Sequence, residues 1–277
     1  MLTKGRALAL SSHPGPAVAV TLVAVVLGIA LSLSPWRVTL LGLAFLLGQL
    51  SVGLSNDWLD AARDRAVGRT DKPVALGLVS ADAVRNAAFL TAVLAVVLTV
   101  PLGGLATLTH TVFIVSAWAY NVWLKNTILS VLPYIVSFGL LPMVASLSRS
   151  TPAAAAPWAL ALGALLGVAA HFANVLPDLA DDARTGISGL PHRLGRTASG
   201  TVIWVVLALA GVIAFALPSG PKTAVQWIGL VVTLLLAGAI AVVLRRPPTR
   251  LLFQLIIAAA LVNVVVLAFG GDRLLAR

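Results

Sequence analysis

Nine stretches of apolar sequence, each close to the roughly 20 residues that a helix needs to cross the hydrocarbon of a bilayer, constrain this chain more than any other feature. They run at approximately 16–34, 37–55, 83–101, 104–120, 128–147, 154–174, 199–217, 225–244 and 252–270. In lipid a helix satisfies its own backbone hydrogen bonds, so each stretch reads as a transmembrane helix. The chain is 60% hydrophobic and 10% charged, against about a quarter charged in soluble domains. The expectation is an all-α integral membrane protein of nine transmembrane helices, forming one polytopic domain over 1–277. Pro and Gly punctuate most connections, as at Ser34-Pro35, Thr151-Pro152 and Pro218-Ser219-Gly220. The first stretch is too long an apolar run, and lacks a small-residue cleavage site, to read as a signal peptide.

The basic residues orient the bundle. Under nine alternating crossings, fourteen Lys and Arg share the side of the N-terminus, and five (Arg37, Arg149, Lys222, Arg273 and Arg277) fall on the other. The positive-inside rule then puts the N-terminus in the cytoplasm and the C-terminus outside, in the plasma membrane, with the long 56–82 and 175–198 connections facing the cytoplasm. The net charge of +10 is that of loops beside anionic lipid, and no basic soluble module suggests nucleic acid. With no cysteine, a disulfide scaffold, a thiolate metal centre and a thiol nucleophile are excluded.

All nine acids are Asp, and eight lie in the two long connections. The first group reads Asn56, Asp60, Asp64 and the second Asn174, Asp178, Asp182, so each is Asn-x3-Asp-x3-Asp continuing a transmembrane helix. Residues four apart share a helix face, about 6 Å apart along the axis. Each group is therefore a stripe of oxygen ligands. The stripes lie 118 residues apart on helices that run the same way, so a parallel pseudo-repeat can present both to one cavity. Like charges at this spacing destabilise a helix, and divalent cations reverse that sign. All-oxygen ligation suits Mg²⁺, which takes one or two carboxylates per ion and completes its octahedron with water and substrate phosphate. Arg63, Arg65, Arg69 and Lys72 follow the first stripe, and Arg184, Arg193 and Arg196 the second. Metal-bridging carboxylates ringed by cations suit a diphosphate leaving group. Asp57 and Asp181 are additional acids beside the stripes. His171 lies three residues before Asn174, where it could reach a substrate or simply be a hydrogen-bonded core residue, and His110 reads as structural. Asn263 and Gln49 are expected to hydrogen-bond between helices.

Three pieces of sequence resemble motifs of the UbiA-type intramembrane prenyltransferase superfamily. NDWLDAARD at Asn56–Asp64 resembles its first motif, NxxxDxxxD; PDLADD at Pro177–Asp182 resembles its second, DxxxD; YNVWLK at Tyr120–Lys125 resembles its Tyr…Lys element. The resemblance implies a helical bundle open to the lipid, an isoprenyl diphosphate substrate, a small aromatic or quinone-precursor acceptor, and ionisation of the allylic C–O bond. It also implies two Mg²⁺, for which Mn²⁺ could substitute. By family pattern Asn56, Asp60 and Asp64 bind one metal–diphosphate side and Asp178 and Asp182 the other, while Lys125 and Tyr120 contact the diphosphate. Where many aromatic-acid members carry Arg-Pro, this chain has His13-Pro14, which weighs against 4-hydroxybenzoate as acceptor. The same ionisation without an acceptor would make a membrane terpene cyclase, and a sugar diphosphate donor would make a third variant. A secondary transporter fits less well, because its acids belong near the midplane and these lie at helix ends.

Overall fold

The computed structural model describes residues 3–177, 179, 186–244 and 250–276. Ten α-helices run through them: α1 Lys4–Leu10, α2 Pro14–Ala30, α3 Pro35–Ala66, α4 Ala81–Thr99, α5 Gly104–Val122, α6 Leu132–Leu147, α7 Pro157–Val175, α8 Leu190–Ala216, α9 Ala224–Val243 and α10 Arg250–Ala268. Five of them (α2, α3, α6, α7 and α8) carry Pro in the first turn, where its fixed φ suits the helix and its missing N–H costs nothing. Ser80 caps α4, and Thr223 with Gln226 forms a capping box at α9.

The helices α2–α10 coincide with the nine apolar stretches, though among the described residues not every one reaches by itself the length and apolarity of a crossing. Five qualify, and the pair α1–α2, bent by 60°, makes a sixth. The reason is local. α5 carries Thr107, Thr109, His110, Thr111, Ser116 and Asn121 within its apolar run, while α6 spans only 16 residues and contains Pro142. At the other extreme α3 has 32 residues, eleven beyond the expected end of its apolar stretch, so the first acidic stripe sits on continuous helix. α8 is broken at Gly195, whose φ of 74° and ψ of 176° leave the helical region.

Packing follows the chain order, with α3 against α2 and α4, α6 against α5 and α7, and α8 against α7 and α9, while α10 touches α2 and α7. A large core fills the bundle around Phe45, Phe113, Leu162, Phe172, Ile203 and Leu207. A second cluster braces the far end of α3, where Ala7 of α1, Val74 and Val79 of the connecting segment, and Val84 and Ala88 of α4 surround Leu54 and Ala61. The outer surface is greasy: Leu90, Val93 and Val97 of α4 and Ile228, Val231 and Leu235 of α9 are all more than half exposed. Such a contiguous apolar exterior around a packed interior belongs in lipid. The chain is an integral multi-pass membrane protein.

Small residues let α6 and α7 approach closely. A Cβ on Gly167 would lie 2.4 Å from the Tyr134 carbonyl oxygen, and one on Gly163 would lie 2.3 Å from that of Phe138. Gly104, by contrast, has nothing within 4 Å of such an atom. Gly167→Ala should therefore destabilise the protein by about 1–3 kcal/mol, whereas Gly104→Ala should not lower stability, as read by denaturant melts in detergent.

Candidate functional site

The end of α3 presents its acids as the four-residue spacing requires. Asp60 and Asp64 are 8% and 5% exposed, and Asn56 Nδ2 donates to Asp60 Oδ2 at 3.3 Å. Arg63 lies between the carboxylates, 3.0 Å from Asp60 Oδ2 and 3.6 Å from Asp64 Oδ1. The remaining oxygen of Asp60 accepts from Lys125, which comes from a 3-10 turn at Leu124–Asn126 between α5 and α6. Sequence-predicted site residues 65 positions apart are thus brought into a buried ion pair. Burial pushes the Lys125 ammonium below its ordinary pKa, and the Asp60 carboxylate works against that shift.

Asn121 is a member of this cluster that sequence reasoning passed over. It is 3% exposed, its Oδ1 accepts from Asn56 at 3.3 Å, and its Nδ2 donates to Val52 O at 2.9 Å and Ser55 Oγ at 2.8 Å. One residue thereby clamps α5 to α3 and turns the Asn56 amide so that its Nδ2 is spent within the protein and its Oδ1 is free of protein donors among the described residues. The only available signal was its place four residues before Lys125 in YNVWLK. Its neighbour Tyr120 faces the other way, edge-on to Tyr134 and His171 with ring centroids 5.2 and 5.7 Å apart.

Asp57 stands apart from the stripe's chemistry. Only 2% exposed, its Oδ1 receives Lys72 at 2.6 Å and His13 at 2.7 Å. His13 sits at the α1–α2 elbow with a left-handed φ of 52°, and the elbow bears on α3 so closely that a Cβ on Gly53 would lie 2.1 Å from Ser12 O. Lys72, expected at a diphosphate, is directed to Asp57. Arg69 makes a bidentate pair with Asp71 at 2.8 Å, and that hydrogen bonding holds the Asp71 carboxyl down at about 2.

In the second half, Asn174 lies exposed in the last turn of α7. Asp178, Asp181, Asp182 and Arg184 lie outside the described residues. Arg193 donates to the Ser188 carbonyl. His171 is 1% exposed and contacts Ser130. His110 pairs with Thr99 and stacks on Phe45, the structural role expected, and Asn263 bonds Thr233 across α9 and α10, as expected.

The donor set fits a hard divalent cation. Asn56 Oδ1, Asp60 and Asp64 are all oxygen donors, and Asp64 has only the long Arg63 contact among the ion pairs described. No group of three or more His, Cys, Asp or Glu suited to a metal occurs among the described residues. Two carboxylates from one stripe are nonetheless what Mg²⁺ needs when water and phosphate supply the rest.

This fold has solved relatives. A UbiA homologue from Archaeoglobus fulgidus bound to GPP and Mg²⁺ superposes with a TM-score of 0.73 at 11% identity, over 97% of this chain and 99% of that one. A UbiA homologue from Aeropyrum pernix K1 gives 0.72 at 18% identity, over 91% and 97%. A structure concerned with digeranylgeranylglyceryl phosphate synthase gives 0.69 at 14%, over 98% and 99%. Among curated proteins none matches this sequence. These likenesses define the fold as the all-helical one of the UbiA homologues. The sequence itself matches the profile of the UbiA prenyltransferase family over residues 17–251, and the chain belongs to that family.

If Asn121 clamps α5 to α3, Asn121→Ala strands buried partners and should cost about 1–3 kcal/mol of stability. Asn121→Leu should not restore it, because the lost term is hydrogen bonding rather than volume; detergent denaturation of both variants checks this.

Proposed function

We propose that this protein is a Mg²⁺-dependent membrane prenyltransferase that moves an isoprenyl group from an isoprenyl diphosphate to a small aromatic or quinone-precursor acceptor. Family membership supports a prenyltransferase-type enzyme, and relatives of this fold bind GPP or DMAPP with Mg²⁺. The observation that carries the reading is the buried cluster of Asn56, Asp60, Asp64, Arg63 and Lys125, which joins cation ligands to two cationic side chains at a helix end. The reading takes in nine crossings, with the acidic helix ends on the cytoplasmic side as the distribution of Lys and Arg favours, and one polytopic unit over 1–277.

Mg²⁺ held by Asn56, Asp60 and Asp64, with a second ion on Asp178 and Asp182 and Mn²⁺ as a substitute, would neutralise charge developing on the leaving diphosphate. Lys125, paired with Asp60 at this helix end, would donate to diphosphate oxygens, and Arg63 adds a second positive charge close by. Tyr120 and Asn174 border the same end of the bundle. Asp57 engages His13 and Lys72 through its Oδ1 and so steadies the helix that carries the ligands. The isoprenyl tail, being apolar, lies among the helices, where the absence of water protects an allylic cation.

Purified protein with Mg²⁺ and geranyl, farnesyl or geranylgeranyl diphosphate tests this by diphosphate release with and without aromatic acceptors. Acceptor-dependent release is expected, whereas cyclic hydrocarbon or terpene alcohol formed without acceptor would replace the transferase by a cyclase. Asp60→Ala should lower turnover by at least about a hundredfold while the protein, though destabilised by the unpaired Lys125, stays folded in detergent, and a chelator should abolish turnover. Full activity of Asp60→Ala, or activity in excess chelator, would remove the metal–diphosphate site.

A further inference from the structure

The turn that carries Lys125 is held from its far side by a contact that the chemistry above does not use. Ser130, fully buried, lies five residues beyond Lys125 and accepts the backbone N–H of Leu190, the first residue of α8, at 2.8 Å. The same Oγ lies 3.1 Å from His171 Nε2 of α7. Around this node the two backbones press together. A Cβ on Gly189 would sit 2.5 Å from the Lys125 carbonyl oxygen and 3.0 Å from Ser130 Oγ, so only glycine lets the segment lie down there. Ser188 Oγ adds a bond to Asn126 O at 3.3 Å, and Arg193 Nε folds back on Ser188 O at 3.0 Å.

His171 has one use in this arrangement. Its ring is packed against Tyr134, Phe172 and Tyr120, with centroids 4.9, 5.5 and 5.7 Å away, surroundings that a Phe would satisfy. Its Nδ1 is buried without a partner among the described residues, a desolvation penalty that a hydrocarbon ring would avoid. In either tautomer the gain from an imidazole here is its bond to Ser130.

We propose that Ser130 and His171 are positioning residues: together they dock the start of α8 onto the 124–130 turn and so fix the backbone from which Lys125 reaches Asp60. This assigns His171 a role through Ser130 rather than contact with substrate. It also ties the turn to the segment that follows the second acidic motif in the chain, since Gly189 is seven residues beyond Asp182. The ligand side of the proposal rests on the prenyltransferase reading; the docking itself does not.

The test uses the full chain in lipid nanodiscs with two readouts: amide hydrogen exchange of residues 186–194, and affinity for inorganic pyrophosphate with Mg²⁺ by calorimetry. Ser130→Ala and His171→Phe should each speed exchange of that segment and weaken pyrophosphate binding by roughly fivefold to tenfold, the loss expected for one hydrogen bond. His171→Gln, which can place an amide near the position of Nε2, should stay within about twofold of the wild type in both. Should Ser130→Ala fail to fold, the His171→Phe and His171→Gln pair decides. Unchanged exchange in His171→Phe overturns the docking. Faster exchange with unchanged affinity overturns the positioning of Lys125, and equal loss in Phe and Gln overturns the role through Ser130. A wild type that does not bind Mg²⁺–pyrophosphate overturns the functional reading, and with it the ligand side, while the exchange data still judge the docking.

Discussion

A carboxylate taken out of water must be met by opposite charge or by donors, because an uncompensated buried charge costs several kcal/mol. The end of α3 imposes that demand three times within eight residues, at Asp57, Asp60 and Asp64, each less than a tenth exposed. The compensation comes from separate parts of the chain. His13 arrives from the α1–α2 elbow, Lys72 from the segment after α3, Lys125 from the turn between α5 and α6, and Arg63 from α3 itself. Each pairing obliges its segment to reach the same helix end. The apolar cluster of Leu54, Ala61, Val74, Val79 and Val84 then fills the space that these ionic contacts define.

The three acids are not compensated equally, and that inequality separates scaffold from site. Asp57 has Lys72 and His13 on one oxygen and lies deepest. Asp60 shares its oxygens among Lys125, Arg63 and Asn56, while Asp64 pairs, among the described residues, with Arg63 alone at 3.6 Å. Unspent acceptor capacity on the stripe's face lies on Asp64 and on Asn56 Oδ1, on the side of α3 that also bears Asp60. The other unspent oxygen, Asp57 Oδ2, is fully buried, so a cation approaching this helix meets the stripe's face first. The same inequality explains how a helix tolerates like charges at the spacing that normally weakens it.

The stripe was legible because four-residue spacing maps onto one helix face whatever the tertiary structure, and α3 extends far enough to carry all of it. The partners were less so. Net positive charge after the stripe suggested that Arg69 and Lys72 address a diphosphate, yet charge alone does not identify the nearest carboxylate, and Asp71 and Asp57 claim them. Asn121 and Ser130 were invisible for a related reason. A single amide or hydroxyl near a helix end is ordinary, and their importance comes from contacts 60 to 69 residues away in the chain. Hydropathy marks α5 less plainly as a crossing than its neighbours, since it mixes hydroxyls, His110 and Asn121 into an apolar run to serve the helices around it.

An isoprenyl diphosphate is itself divided as this molecule is, with concentrated charge at one end and a hydrocarbon tail at the other. A soluble enzyme has to build an apolar tunnel large enough to keep such a tail from water. Here the bilayer already supplies the apolar surroundings, and the chain needs only to place an ionic cluster at the level where helices end. α3 does that by running straight on from its apolar stretch into the acids without a break, so that ligands sit within a few turns of the greasy core. The glycines at 163 and 167 that bring α7 against α6 serve the same end, because they align the helix bearing His171 and Asn174 with the one that begins just after Ser130. Charge at the helix ends, small residues between helices and hydrocarbon outside are together what the proposed function asks of a site for an amphiphile rather than for a freely soluble phosphate.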